Sequence, residues 1–524
     1  MSVNPDGALG ILGVLATARF DRIMRNTRDP SWQPTSGTSP RYKPHGEIRE
    51  RQAEVRGAHS TEERGDNLRE GRGPAVQARL KQVRARAWPK ANHPIDNVRR
   101  LQQTLWRSAK CSKNRRFHAL YDRISRRDVL WEAWVRVRQN GGTAGVDGVT
   151  LSDVKARGAE QLIDELHQEL CAKTYKPRPV RVVRIPKANG GERALGIPTV
   201  RDRVVQMATT IVVGAIFEAD FLPCSYGFRP KKNAHQALER IRTCANAGQN
   251  VVIDADIKGY FDTIDHEILM TLVSKRVSDK RVLRLIRQWL HAGVEENGVV
   301  RDSTCGVPQG GVISPLLSNI YLHVFDWLWS TKCTHLGTLV RYADDFVVLC
   351  RTAYQAREAK KRIDWIMGWL KLTLHPDKTC VVDLARGKGS FKFLGHTIRK
   401  CRSVQHASRR LYFALRWPSP KAMLSIRTRL HAMTDVRCGA KDITELIASI
   451  NPLLRGFGNY FGGSNASRQF HKLDRYVWQR LTRWKIRRRG QRPGAKDVWP
   501  VERYYRLGLH RLSGTISYAR KPTV

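Results

Sequence analysis

Four acids in two short stretches are the residues of this chain best placed to do chemistry. Asp344 and Asp345 lie between Leu339–Ala343 and Phe346–Cys350, two runs rich in β-branched and aromatic residues that read as strands. A tight hairpin between them would carry both carboxylates at its exposed tip. Adjacent anions repel, so a fold that fixes them together normally supplies a cation, and hard oxygen ligands suit Mg²⁺ or Mn²⁺. Alone, an Asp-Asp pair is most often an ordinary turn. Upstream, however, Asn250–Asp262 is a second apolar run ending in acid, and Asp254 and Asp256, two apart, share a strand face. A carboxylate from this strand set beside Asp344 and Asp345 would complete a two-ion phosphoryl-transfer site. In such a site one ion activates an attacking hydroxyl and the other holds the leaving pyrophosphate.

The surrounding stretches supply the elements that must position these acids. Residues 181–193 read as two strands joined at Asn189-Gly190-Gly191, a hairpin flanked by basic residues. Lys supplies a point charge and Arg a bidentate fork, which suits closing on a triphosphate, although edge hairpins favour both residues anyway. Ser225–Pro230 is a compact loop whose Arg229 is expected to hold a template phosphate. Gly306–Asn319 contains Pro308-Gln309-Gly310-Gly311, where glycines let backbone approach a ligand and Gln309 can hydrogen-bond sugar or base. Asp128 opens a helix with Leu130, Ala133, Trp134 and Val137 on one face, stopping at Asn140-Gly141-Gly142. The glycine-rich loop that follows, to Gly148, lacks a Walker lysine and is given no nucleotide role. His266 and His375 have no partner at ligand spacing and read as structural.

Composition narrows the class. The 524 residues are enough for two or three domains, and 93 Lys and Arg against 47 acids give a net charge of +46 and a pI near 10.6. Such an excess points to nucleic acid, with an acidic membrane surface second. Ten cysteines without a Cys-x-x-Cys pair support neither a zinc ribbon nor a disulfide framework, which fits a reducing, cytoplasmic setting. No apolar run reaches the roughly 18–20 residues a transmembrane helix needs. Gly7–Ala18 is mildly apolar but lacks a basic lead-in, so secretion is not expected. Residues 1–90 read as a disordered segment, with order beginning near Pro94, where Val98, Leu101, Leu105 and Trp106 form an apolar stripe.

In combination and order, the block from Ile185-Pro186-Lys187 to Ile197-Pro198, Ser225–Pro230, Asp256–His266, Pro308-Gln309-Gly310 and Tyr342-Ala343-Asp344-Asp345 resemble the group II intron-encoded reverse transcriptase/maturase family, of bacterial type. The resemblance runs from about Pro94 to Arg489. It implies an α+β right-hand polymerase: fingers and palm with antiparallel sheet, then an α-helical thumb/maturase domain. The expected division is residues 91–170 for the N-terminal helical part of the fingers, 171–400 for fingers and palm, 401–490 for the thumb/maturase RNA-binding domain and 491–524 for a basic tail.

On the resemblance, Asp256, Asp344 and Asp345 are catalytic metal ligands, with the Ile257 carbonyl as a fourth, for two Mg²⁺ ions that Mn²⁺ can replace. Lys187 and Arg193 match triphosphate-gripping positions, although Ala194 stands where proline is usual. Phe261 matches the steric gate against a ribose 2′-hydroxyl, with core packing as its alternative. Asn451–Phe461 looks like the maturase signature. Beyond it, aromatics alternate with arginines, a pattern suited to structured RNA. Arg455, Arg480, Arg483, Arg487, Arg488 and Arg489 are expected to face that RNA, with Trp478 and Trp484 inward. Pro418–Phe461 reads as three amphipathic helices. No cysteine follows Cys438, so the zinc-bearing endonuclease of some relatives is not expected.

The implied function is RNA-directed DNA synthesis with assistance to intron splicing. The partners would be group II intron RNA, a DNA target and primer, and deoxynucleoside triphosphates; no membrane or particular protein partner is implied. A splicing factor with a decayed polymerase, or a non-mobile reverse transcriptase, are the alternatives; the intact acids weigh against the first and the maturase signature against the second.

Overall fold

The computed structural model describes residues 94–186, 191–296, 298–301, 305–403, 410–435, 437, 442–488 and 498–516. The expected disordered segment 1–90, Lys187 and Arg489 lie outside them. The described residues from Val98 onward form one unit.

Five helices lead the chain: α1 (Pro94–Cys111), α2 (Tyr121–Ile124), α3 (Arg127–Asn140), α4 (Leu151–Arg157) and α5 (Ala159–Ala172). The α1 stripe buries Val98, Leu105 and Ala109, while Trp106 stands off it at 41% exposure. In α3, Val129, Leu130, Ala133, Trp134 and Val137 are buried, and the helix stops at Gly141, whose φ of 68° is cheap only for glycine. The fingers sheet follows, with order β2-β1-β4-β5: β1 (Val180–Pro186), β2 (Glu192–Ile197), β4 (Val294–Glu296) and β5 (Val299–Arg301). Strands β1 and β2 pair antiparallel from Arg181↔Ile197 to Pro186↔Glu192, whereas β1 and β4 run parallel. The fingers sheet is therefore mixed, not purely antiparallel. Helix α6 (Val200–Glu218) follows β2 in the chain, packs mainly against α3 and is buried along much of its length.

The palm is a four-stranded antiparallel sheet of order β6-β7-β3-β8, with β3 (Val251–Ala255), β6 (Thr338–Tyr342), β7 (Asp345–Cys350) and β8 (Cys380–Asp383). The central strand β7 buries Phe346 to Cys350 completely. Alternation divides its faces. Val347 and Leu349, with Val252 of β3, pack into a cluster with Ala237, Leu238 and Ile241 of α7 (Ala234–Asn246). Phe346 turns the other way and meets Phe325 of α11 (Ser314–Leu328), ring centroids 5.0 Å apart. Between β3 and α11 lie α8 (Tyr260–Thr263), α9 (His266–Ser274) and α10 (Lys280–Leu290), and α12 (Ala353–Trp369) follows β7.

A three-stranded antiparallel sheet, β9 (Ser390–Phe393), β10 (His396–Arg402) and β11 (Tyr412–Pro418), comes between the palm and the C-terminal helices. Those are α13 (Pro420–Met433), α14 (Ile443–Phe461), α15 (Ser467–Arg488) and α16 (Val501–Arg506). The stretch from Pro418 to Phe461 thus forms two described helices, and the third begins only at Ser467. Residues 498–516 are not merely part of a basic tail. Tyr504, Leu509 and Leu512 are buried in one core with Ile447, Leu454, Phe470 and Leu481. The side chain of Asn451 donates to the Gly508 carbonyl and accepts from His510 N–H, both at 2.9 Å, and Asp474 accepts from the N–H groups of Leu512 and Ser513 at 3.0 Å. Asn451 of the maturase signature is therefore a latch for this segment.

Candidate active site and nucleic-acid surface

The register of the palm brings the acids together. Strand β3 pairs with β7 through Asp254↔Val347 and Ala255↔Phe346, so the next step along both strands sets Asp256 opposite Asp345. Directly opposed residues in an antiparallel pair have Cβ atoms about 4.5–5.5 Å apart. Tyr342↔Asp345 closes the β6–β7 hairpin, making Ala343-Asp344 its two-residue turn. The expected tip is therefore shifted by one residue: Asp344 is in the turn, and Asp345 is the first residue of β7. Asp254, Asp256 and Asp345 share one face of the sheet by alternation.

Electrostatics follow from that crowding. Partial desolvation, reinforced by the Asp344 and Asp256 carboxylates, pushes Asp345 up to about 7. Asp254, behind it, is likewise pushed up to about 7 by burial, with Asp345 and Asp256 adding to the effect. Burial also raises Asp344, which Asp256 reinforces and which Arg193 and Arg341 partly offset. Hard carboxylate donors carrying this much mutual repulsion fit a divalent cation. Among the described residues no three His, Cys, Asp or Glu side chains already form a closed metal cage. Ile257 sits in an isolated antiparallel bridge to Leu374, made by the bonds Lys258 N–H to Thr373 O and His375 N–H to Asp256 O, so its own carbonyl is not used there.

The hairpin that carries Asp344 and Asp345 is braced from below by Arg341. Arg341 is fully buried; its guanidinium donates to Asp326 (2.7 Å from Nε), to the Ala343 carbonyl and Ser225 Oγ (both 2.8 Å), and to Asn319 Oδ1 (3.2 Å). Ala343 has φ of 58°, a position where hairpins ordinarily use glycine and where other residues cost about 1–3 kcal/mol. Gly227 explains how the neighbouring loop fits against it: a Cβ there would lie 2.3 Å from Ala343 N. Ser225–Phe228 thus positions the turn. Arg229 does not face a template. Its side chain is 5% exposed, and the guanidinium is paired with Glu218 at 2.6 Å and donates to the carbonyls of Leu222 and Ser225, so it braces this loop internally.

A cleft of about 570 Å³ is lined in part by Arg193, Phe261, Gln309, Gly310 and Gly311, and Arg193 also acts on Asp344. Phe261 is half-buried in its wall, while Tyr260 is 2% exposed with its hydroxyl donated to the Ser318 carbonyl at 2.7 Å. Gln206 of α6 fixes the glycine loop, its Oε1 accepting from Val312 N–H at 2.9 Å, and Gly196 N–H donates to the Gln309 carbonyl at 2.6 Å. Gly141, Gly142 and Thr143 also line the cleft, so the loop given no nucleotide role does border the site. His266 is buried against the Gly306 carbonyl, as a structural residue should be.

On the helical domain, Arg455, Arg483, Arg487 and Arg488 are exposed, with Arg488 stacked over Trp484. Trp484 is buried and Trp478 packs on the core, donating to the Trp499 carbonyl at 2.9 Å. Arg480 departs from expectation. It is 8% exposed and donates to Thr434 Oγ1 at 2.8 Å and to the Thr434 carbonyl at 3.1 Å, tying α15 to the end of α13. No helix of the described residues is long and apolar enough to cross a membrane.

Comparison with known proteins agrees with this division. The family model "Reverse transcriptase (RNA-dependent DNA polymerase)" matches residues 185–398, and "Group II intron, maturase-specific domain" matches 423–505. Protein YkfC of Escherichia coli is 38% identical over 297 residues, half of this chain and 77% of that protein. The group II intron-encoded protein LtrA of Lactococcus lactis is 39% identical over 211 residues, 40% of this chain and 35% of LtrA. A 91 kDa protein in the cob intron of Schizosaccharomyces pombe is 28% identical over 412 residues, 65% of this chain and 50% of that protein. The chain thus spans a third to a half of these two intron-encoded relatives and most of YkfC. With an RNA-dependent DNA polymerase region over its fingers and palm and a maturase region over its C-terminal helices, the chain belongs to the group II intron-encoded reverse transcriptase/maturase family.

Proposed function

We propose that Asp256, Asp344 and Asp345 are the acids of a nucleotidyl transfer that copies intron RNA into DNA, and that the C-terminal helices bind the same RNA to assist its splicing. The observation that carries the first part is the register setting Asp256 against Asp345, with Arg193 of the cleft lining acting on Asp344. Two divalent ions, Mg²⁺ or in substitution Mn²⁺, held by these acids and the Ile257 carbonyl would supply Lewis acidity to the primer hydroxyl and the departing pyrophosphate. The primer 3′-hydroxyl attacks the α-phosphorus of a deoxynucleoside triphosphate, and the bond to the β-phosphate breaks. Arg193, exposed at the cleft, draws in the triphosphate together with Lys187 of the same hairpin. The Phe261 ring occupies the space a 2′-hydroxyl would need, and Gln309 offers an uncharged hydrogen-bonding group to sugar or base. Exposed Arg455, Arg483, Arg487 and Arg488 provide phosphate contacts for the intron.

Primer extension on an RNA template tests the site directly. Asp344→Ala or Asp256→Ala should lose roughly 10³-fold or more in rate. Extension at the wild-type rate by either variant overturns the assignment.

A further inference from the structure

The Asp256 carboxylate already has a cation. Lys378 Nζ donates to its Oδ2 at 2.6 Å. The backbones carrying the two groups are joined: His375 N–H donates to the Asp256 carbonyl at 2.8 Å and Lys258 N–H to the Thr373 carbonyl at 2.9 Å. The turn that follows closes through Lys378 and Thr379 N–H groups donating to the His375 carbonyl, at 3.3 and 3.0 Å. The ammonium is therefore delivered to the carboxylate by a short, anchored turn. Its side chain is 56% exposed, whereas that of Asp256 is 22% exposed. Of the other cations acting on the cluster, Arg341 is buried in its pair with Asp326, and Arg193 acts on Asp344.

We propose that Lys378 is a built-in counter-ion that holds Asp256 in the metal-free protein and yields that oxygen to a divalent ion. The inference rests on Asp256 being a metal ligand. A single positive charge offsets part of the repulsion among four acids, enough to keep the strand end and hairpin together while no ion is bound. A divalent ion attracts the same oxygen with twice the charge, and a flexible, strongly hydrated ammonium on an exposed stem can return to water with little loss. Metal affinity at this oxygen is then a competition, and Lys378 sets the ion concentration at which the site fills.

The test is Mn²⁺ binding by the full-length chain without nucleotide or nucleic acid, followed by the electron paramagnetic resonance signal of free Mn²⁺. Exposed ion pairs of this kind correspond to factors of about two to five in an equilibrium constant. Lys378→Met and Lys378→Gln should therefore bind Mn²⁺ about two- to fivefold more tightly, while Lys378→Arg, which keeps the charge, stays near wild type. The melting temperature of the neutral variants should fall without metal and recover at saturating Mn²⁺. Equal or weaker Mn²⁺ binding by folded neutral variants overturns the competition. Asp256→Asn separates the two levels: if it binds Mn²⁺ like wild type, Asp256 is not a ligand and the underlying reading fails. Loss of binding there together with unchanged binding in Lys378→Met removes the counter-ion role alone.

Discussion

Phe261 and Tyr260 are neighbours with opposite surroundings, and the difference decides which of them can select a sugar. Phe261 forms part of the cleft wall, whereas the Tyr260 hydroxyl is committed to Ser318 inside the palm. Phe261→Ala should raise the ratio of ribo- to deoxyribonucleotide incorporation, because discrimination by a clash disappears with the ring. An unchanged ratio in competition assays would make Phe261 cleft packing only. The acids give a second prediction. Asp254 and Asp345 are raised to about 7 in the fold, above the ordinary carboxylate value of about 4. The folded protein therefore holds more protons than the unfolded chain between these values, so their contribution to stability falls as pH rises from about 4 to 7. In chelator, denaturant melts should show that loss, and Mg²⁺ should flatten it by favouring the ionised acids. Arg341 supplies a third. Removing one member of a buried ion pair costs about 3–5 kcal/mol, so Asp326→Asn or Arg341→Met should lower urea stability by that order. The joint replacement Arg341→Met with Asp326→Leu should recover part of the stability without restoring extension, since the brace to the Ala343 carbonyl is still gone.

At the scale of elements, the catalytic hairpin shows what sequence could and could not convey. The apolar alternation of β3, β6 and β7 and the terminal acids were legible because strand periodicity and residue type are local. The pairing register was not, and only the register puts Asp256 beside Asp345 and makes Ala343, not Asp345, the residue in the turn. The arginines illustrate the same limit. Arg229 and Arg480 sit in basic, motif-rich stretches like their neighbours, yet Glu218 and Thr434 claim them, and partners so placed leave no trace in spacing. The role of Arg341 is likewise invisible along the chain, because its counter-charge, Asp326, lies fifteen residues away. The Gly227–Ala343 contact yields a prediction of its own. Gly227→Ala would force apart the loop and the turn, lowering thermal stability and primer extension together; retention of both would mean the loop does not position Asp344.

At the scale of the molecule, the polymerase acids and the exposed arginines belong to different cores, one around the palm sheet and one around α13–α16. Copying and splicing should therefore separate. Replacing Arg483, Arg487 and Arg488 with Gln removes up to three phosphate contacts, each flattening the logarithmic salt dependence of RNA binding by about 0.7–0.9. Intron binding and splicing at moderate salt should weaken while extension on a generic template is largely kept. Splicing and extension assays at two salt concentrations decide it, and loss of extension with splicing intact would reassign these arginines to template or primer.

The latch between Asn451 and residues 508–510 also sets an order in time. A ribosome makes β3, β6 and β7 long before it makes Tyr504, Leu509 and Leu512, which complete the second core. The palm can close while the domain that grips RNA is still being synthesised. A chain ending between Arg488 and Tyr504 would contain the palm sheet but lack the residues that complete the helical core. Such a product would keep the acids and the exposed arginines but carry the latter on an incomplete core. Only a chain that reaches Leu512 contains every residue of both cores.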